Sequence, residues 1–308
     1  MILFTKTRSL FNPAMYQGWG KTRKYFEGWY FKVVNADETA AFAFIPGISM
    51  NESGDRQAFI QVLNGKKKTA EFYPFDASDF VPSPRDFTVA VAGNFFSASR
   101  MKLDLPSVKG ELTFTDSKDW PNPWYSPGIM GPYTFAPFME CNHGIVSLDH
   151  FISGSLAIDG ETTDFTGGRG YIEKDWGHSF PSAYIWMQSN HFNTPGISLK
   201  ASVARIPWLT GNFTGFISGL LLDNRLYSFT EYGGGRLANI EVSASRVEME
   251  FRNRTHILNL TAPTGTATPL ASPVNGFMRG RIEESMTSVI SLTLSERATG
   301  RIVFTGEG

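Results

Sequence analysis

The stretch Tyr171-Ile-Glu-Lys-Asp-Trp-Gly-His-Ser-Phe-Pro-Ser-Ala-Tyr-Ile-Trp-Met-Gln-Ser-Asn-His-Phe192 packs Glu173, Asp175, His178, His191 and a run of rings and amides together. In its second half Tyr184, Trp186, Gln188, Asn190 and Phe192 fall on one face of a strand, because side chains alternate with period two. Ile185, Met187, Ser189 and His191 take the other face. A face that mixes aromatic rings with amides is neither plain core nor plain surface. It reads as the wall of a cavity for something partly apolar.

The same short-strand period recurs along the chain, as in Gly28–Val34, Val108–Thr115, Phe151–Ile158, Asn212–Leu222 and Phe277–Glu284, with Phe95–Lys102 as one further run. Asn64-Gly65, Asp159-Gly160 and Asp223-Asn224 separate such runs as hairpin turns. Helical spacing is scarce; Asn12–Gln17, with Pro13 at its first position, is the best short helix. The pattern predicts an all-β protein of antiparallel barrels or sandwiches. Two echoes, Tyr25-Phe-Glu27 with Tyr171-Ile-Glu173 and Phe44–Ile48 with Phe216–Leu220, argue for two consecutive β-domains, 1–158 and 159–308. Between them, the segment 116–139 crowds five prolines against Trp120, Trp124, Tyr125, Tyr133, Phe135 and Phe138. It reads as a lid or as an ordered plug.

A chain of 308 residues with one cysteine, Cys141, has no internal disulfide and is long enough to bury a core without one. A net charge of -1 gives no footprint for nucleic acid. Apolar runs fall short of a membrane span, so a soluble, cytoplasmic protein is expected, with peripheral membrane contact left open and oligomeric state undetermined. Aromatic residues make up 14% of the chain, which implies a thick core or a ring-lined pocket.

Three motifs carry candidate chemistry. Met139–His150 offers Glu140, His143, Asp149 and His150. Their spacing matches no closed metal signature, which leaves a hydrogen-bonded His–Asp pair or acid–base work. In Glu173–His178, Glu173 and Asp175 share a strand face; two carboxylates so close favour one neutral acid unless a cation such as Lys174 or Arg169 pairs with them. In Tyr25–Lys32, alternation sends Glu27 the same way as Tyr25, Trp29 and Phe31, so Glu27 is either paired, with Arg23 or Lys32, or functional. Phosphate-cradling loops and a serine-nucleophile elbow are missing.

Taken together, Tyr25–Lys32, Gly131–Gly144 and Tyr171–Pro181 followed by Trp186–Asn190 resemble the tocopherol cyclase-like family. The resemblance implies a lipocalin-like architecture of two barrels, shared with a wider group that includes carotenoid hydratases. It also implies cofactor-free acid catalysis with no metal. An acid protonates a prenyl double bond and a phenol oxygen captures the cation, so the partner is a hydrophobic small molecule such as a prenylated quinol or polyene. On that pattern Asp175 or Glu173 is the acid, with His143 and Glu140 as its partners. Glu27, Trp29, Trp176, Tyr184 and Trp186 are substrate contacts, and Gln188 and Asn190 orient a quinol head. Where the family favours glycine before Phe180-Pro181, this chain places His178-Ser179 at the pocket mouth. The competing expectation is a non-catalytic carrier using the same cavity.

Overall fold

The computed structural model describes residues 2–137, 139–208 and 211–308; Phe138 of the proline-rich segment lies outside them. After a helix, α1 (Ile2–Leu10), the regular structure of the described chain is strand, apart from short 3-10 turns at Ala77–Asp79 and Gly131–Phe135. The first strands are β1 (Tyr25–Val34), β2 (Ala41–Met50), β3 (Arg56–Asn64), β4 (Thr69–Asp76), β5 (Phe80–Pro82), β6 (Thr88–Val91), β7 (Asn94–Ser97) and β8 (Arg100–Asp104). They continue with β9 (Val108–Thr115), β10 (Cys141–Ile158), β11 (Glu161–Asp164) and β12 (Arg169–Gly177). Then come β13 (Tyr184–Ser189), β14 (Ser198–Trp208), β15 (Gly211–Leu222), β16 (Arg225–Thr230), β17 (Arg236–Val242), β18 (Arg246–Arg252) and β19 (His256–Pro263). β20 (Thr268–Val274), β21 (Phe277–Glu284), β22 (Ser291–Glu296) and β23 (Ile302–Glu307) close the chain.

These elements form two compact units, residues 1–180 with 268–284, and residues 181–267 with 285–308. The expected division after residue 158 falls at the β10–β11 hairpin, whose strands pair from Ser155↔Asp164 to Ile158↔Glu161. In the first unit one antiparallel sheet runs β4-β3-β2-β1-β12-β10-β9-β8-β7-β6-β5, with β11 added beside β10. The two segments of the Tyr-x-Glu echo are therefore neighbouring strands of one sheet, since β1 pairs with β12. Trp29, Phe31, Phe44, Ile60, Phe96, Leu112 and Ile172 belong to its core. In the second unit, β13-β14-β15-β16 and β17-β18-β19-β22-β23 share a core that includes Leu199, Phe216, Phe229, Phe251 and Leu258.

Turn chemistry explains several connections. Asp159-Gly160 and Asp223-Asn224 hold the left-handed φ values that tight hairpins require, 52° and 88°, and 50° and 57°. Asn64-Gly65 instead opens a longer turn that ends with Lys68 at φ 55°. The expected strand Phe95–Lys102 is a hairpin, because Ser97–Ser99 turn the chain between β7 and β8. Asn12–Gln17 is not helical; helix α1 ends before it, and its backbone is tied into turns at Asn12–Met15. Trp120, Ile129 and Met130 of the 116–139 segment are buried, so it is anchored at these points, while Trp124 and Tyr125 stand exposed.

His150, seven residues from His143, faces the first unit's interior, and the register shift between Ser147 and His150 in β10 against β12 puts those two residues on the same face. There its ring lies 4.6 Å from Phe114, and its Nδ1 is 2.9 Å from Ser147 Oγ. A side chain at Gly170 would collide with the imidazole, at 2.2 Å from its Nε2. Burial, aided by the Arg169 charge, pushes the imidazole down to about 3. The contribution to stability is therefore complete above the ordinary histidine range and is lost as pH falls toward 3. By linkage the full loss is on the order of 5 kcal/mol. His150→Gln is expected to flatten the acid limb of urea-denaturation stability measured from neutral to acid pH; equal acid loss in both proteins would overturn this.

Candidate active site

β12 sits between β1 and β10, and its alternation divides its side chains between two very different environments. Ile172 and Trp176 enter the core, and Lys174 points the same way. Tyr171, Glu173 and Asp175 point to the opposite face. The register places Gly28 and His143 on either side of Asp175, and Tyr30 and Ile145 on either side of Glu173. Three adjacent strands thus assemble one polar cluster.

His143 is its centre. Its Nδ1 lies 2.7 Å from Asp175 Oδ1 and its Nε2 lies 3.3 Å from Glu173 Oε2. The Tyr171 hydroxyl donates a hydrogen bond to Glu173. Side-chain exposure falls from 27% for Asp175 to 14% for His143 and 6% for Glu173, so Asp175 is the member that an incoming molecule can reach. Burial and the Glu173 charge push the Tyr171 phenol well up, which keeps it a neutral donor. Cys141 is equally protonated, its thiol raised by burial and by the charges of Asp175, Glu140 and Glu173.

The β20–β21 hairpin supplies a residue that sequence reasoning did not single out. Glu284 accepts a hydrogen bond from the Tyr30 hydroxyl, on the strand beside Glu173. Burial, reinforced by the Glu173 charge, pushes the Glu284 carboxyl up to about 7, although the Tyr30 bond and Lys32 oppose it. The alternation of Tyr25–Lys32 does put Tyr30 and Lys32 on the face opposite Trp29, but nothing local links them to residue 284. Because the folded state holds this proton more tightly, its stabilising contribution is present in acid and lost as pH rises through about 7. Glu284→Gln is expected to remove the corresponding decline in melting temperature. A decline of the same size in both proteins would refute the assignment.

The other expected site residues fall in different places. Glu140 precedes β10; its carbonyl accepts from the His178 N–H at 2.9 Å, and burial raises its carboxyl. His178 is half-buried, its imidazole lowered by burial and by Lys24, with Nδ1 3.4 Å from Ser179 Oγ. Glu27, Trp29 and Trp176, expected as substrate contacts, are buried. They lie on the core face of β1 and β12, opposite Glu173 and Asp175, and both indole rings are occupied by the Lys174 ammonium at 4.7 Å. Glu27 is paired with Lys174 rather than Arg23 or Lys32, at 2.5 Å. Asp149 pairs with Arg169.

Tyr184, Trp186, Gln188 and Asn190 belong to the second unit. β13 ends at Ser189, so Asn190 and Phe192 lie beyond the strand, and Phe192 joins that unit's core with Met187. Gln188 Nε2 lies 3.4 Å from Asn190 Oδ1.

One donor atom from each of His143, Glu173 and Asp175 lies within 4.8 Å of the others, a spacing that a cation could bridge. The two carboxylates, however, address opposite nitrogens of one ring. The imidazole would have to turn to offer one nitrogen to an ion beside both carboxylates. As built, the imidazole is hydrogen-bonded to Asp175 through Nδ1, with the Glu173 carboxylate 3.3 Å from Nε2 as a neighbouring charge.

Comparison with known proteins agrees with the family resemblance of the motifs. The family model described as tocopherol cyclase-like matches residues 117–307, a span that contains His143, Glu173 and Asp175 but not the Tyr25–Lys32 motif. The chloroplastic tocopherol cyclase of Zea mays is 28% identical over 140 residues, covering 42% of this chain and 29% of the maize protein. The crystal structure of CghA with Sch210972 superposes with a TM-score of 0.55 at 11% identity, over 92% of this chain and 86% of that one. The crystal structure of CghA gives a TM-score of 0.54 at 11% identity over the same shares. At such identity the likeness establishes a shared fold, which is all-β and lipocalin-like. With more than half of its length matched by the family model, this chain belongs to the tocopherol cyclase-like family.

Proposed function

We propose that this protein is a cofactor-free acid catalyst acting on a prenylated quinol or a polyene lipid. The observation that carries the reading is the His143–Asp175–Glu173 line, with its reachable end at Asp175. The reachable Asp175 carboxyl passes the proton it shares with His143 to one carbon of a trisubstituted double bond, and the adjacent carbon becomes a tertiary cation. The substrate's phenol oxygen adds to that cation, and the phenol proton returns to Asp175, so the ring closes with no net change in atoms or charge. With water in place of the phenol the same steps give hydration. His143 holds the Asp175 carboxyl in place, and Glu173, itself bound by Tyr171, holds His143.

The experiment offers purified protein prenyl quinols and carotenoids and analyses the organic extract by mass spectrometry. A chromanol or a hydroxylated polyene is the expected product. Recovery of every compound unchanged, with stoichiometric retention, would instead identify a carrier.

A further inference from the structure

Helix α1 (Ile2–Leu10) is amphipathic in the reverse sense. It buries the polar Thr5 and Ser9, one turn apart, while Leu3 and Phe4 are 78% and 74% exposed. At about 100° per residue, Leu3, Phe4 and Thr7 form the outward stripe, and Lys6 and Arg8 flank it on either side. That is the geometry in which long basic side chains reach headgroups while an apolar stripe enters the acyl boundary. The stripe continues into the proline-rich segment: Phe11 meets Phe135 at 6.1 Å, and Asn122 Nδ2 donates to Phe11 O at 3.0 Å. This segment adds Trp124 and Tyr125, 78% and 63% exposed, as a T-shaped pair at 5.7 Å. Trp and Tyr with a ring in apolar surroundings and a polar edge in water suit a membrane interface.

Charge selects the partner. Residues 1–26 carry Lys6, Arg8, Lys21, Arg23 and Lys24 and no acid, and residues 120–139 carry no charge at all, in a chain whose net charge is -1. Lys6, Arg8, Lys21 and Arg23 are exposed, and Lys6 reaches over Gly20, which joins the helix to the Lys21–Lys24 run. We infer that α1 and the Trp124–Tyr125 tip form a docking surface for an anionic lipid bilayer. The surface stands independently of the reaction proposed above.

The test is co-sedimentation of the full chain with phosphatidylcholine vesicles, with and without phosphatidylserine, across a salt series. Pelleting with phosphatidylserine that weakens as salt rises is the expected result. Leu3→Asp with Phe4→Asp, and separately Trp124→Ala with Tyr125→Ala, are each expected to lower partitioning by about tenfold or more. Lys6→Glu with Arg8→Glu should abolish the preference for phosphatidylserine. Circular dichroism and melting temperature, expected to be unchanged, show that the variants fold. Wild-type protein that stays in the supernatant, or apolar variants that pellet as the wild type does, would overturn the inference. So would variants that lose self-association on size exclusion while binding vesicles normally, since the patch would then be a protein interface.

Discussion

Asp175→Asn is expected to lower turnover of a prenyl quinol by about 10²–10⁴-fold, the range of a lost general acid. Asparagine keeps the size of the side chain and can still hydrogen-bond His143 Nδ1, now 2.7 Å from the carboxylate, but it has no proton to give an alkene. At about 1.4 kcal/mol per factor of ten, this is roughly 3–5 kcal/mol of barrier. The substrate should still bind, because the change removes the acid and not the shape. Glu173→Gln is expected to act less severely, since Glu173 touches His143 and Tyr171 and is buried away from an incoming molecule. The measurement is single-turnover conversion of bound quinol, with equilibrium binding alongside it. Wild-type turnover in Asp175→Asn would remove Asp175 from the chemistry. Loss of binding with unchanged conversion of the bound fraction would make the carboxylate a ligand grip instead.

Lys174→Met should destabilise the first unit by about 3–5 kcal/mol, as breaking a buried ion pair from one side does. Lys174 and Glu27 are both fully buried. Burial pushes the Lys174 ammonium down to about 8 and the Glu27 carboxyl up, so desolvation outweighs their mutual attraction. Removing the lysine would strand Glu27 among the rings of Trp29 and Trp176, and it would also take a donor from Met15 O. Glu27 would keep the Gln17 and Gly18 N–H groups, at 2.9–3.0 Å, and the Tyr25 hydroxyl. For that reason Glu27→Gln added to Lys174→Met is expected to recover part of the loss, because a neutral amide oxygen can still accept those bonds. Urea denaturation of the two single variants and the double variant measures the coupling. A Lys174→Met protein within about 1 kcal/mol of wild type would show that the pair is dispensable.

The pairing also describes what the Glu27–Lys174 contact is for. The backbone of Met15–Gly18 closes onto the carboxylate and the ammonium, and Trp29 Nε1 donates to Ala14 O at 2.9 Å. The segment after α1 is thereby fastened to the core face of β1 and β12. Glu27 and Lys174 fasten this segment, and the cluster proposed to carry the chemistry lies on the other side of the same two strands.

Alternation was legible along single strands. Glu173 with Asp175, and Glu27 with Trp29, share faces in the chain as they do in the fold, because the period of two is set by backbone geometry. The all-β class and the hairpins at Asp159-Gly160 and Asp223-Asn224 were readable for the same local reason. What alternation leaves open is which face meets the core and which distant strand lies alongside. The pairing of Gly28 with Asp175, the bulge that puts Ser147 and His150 on one face, and the arrival of Glu284 beside Tyr30 all depend on contacts between residues far apart in sequence. Loop closure over such distances is decided by the summed burial of the whole sheet, not by any short motif. Local sequence therefore named the carboxylates and their strand faces, and the family resemblance set His143 beside them, while tertiary packing chose Lys174 as the partner of Glu27 and fixed His143 Nδ1 on Asp175.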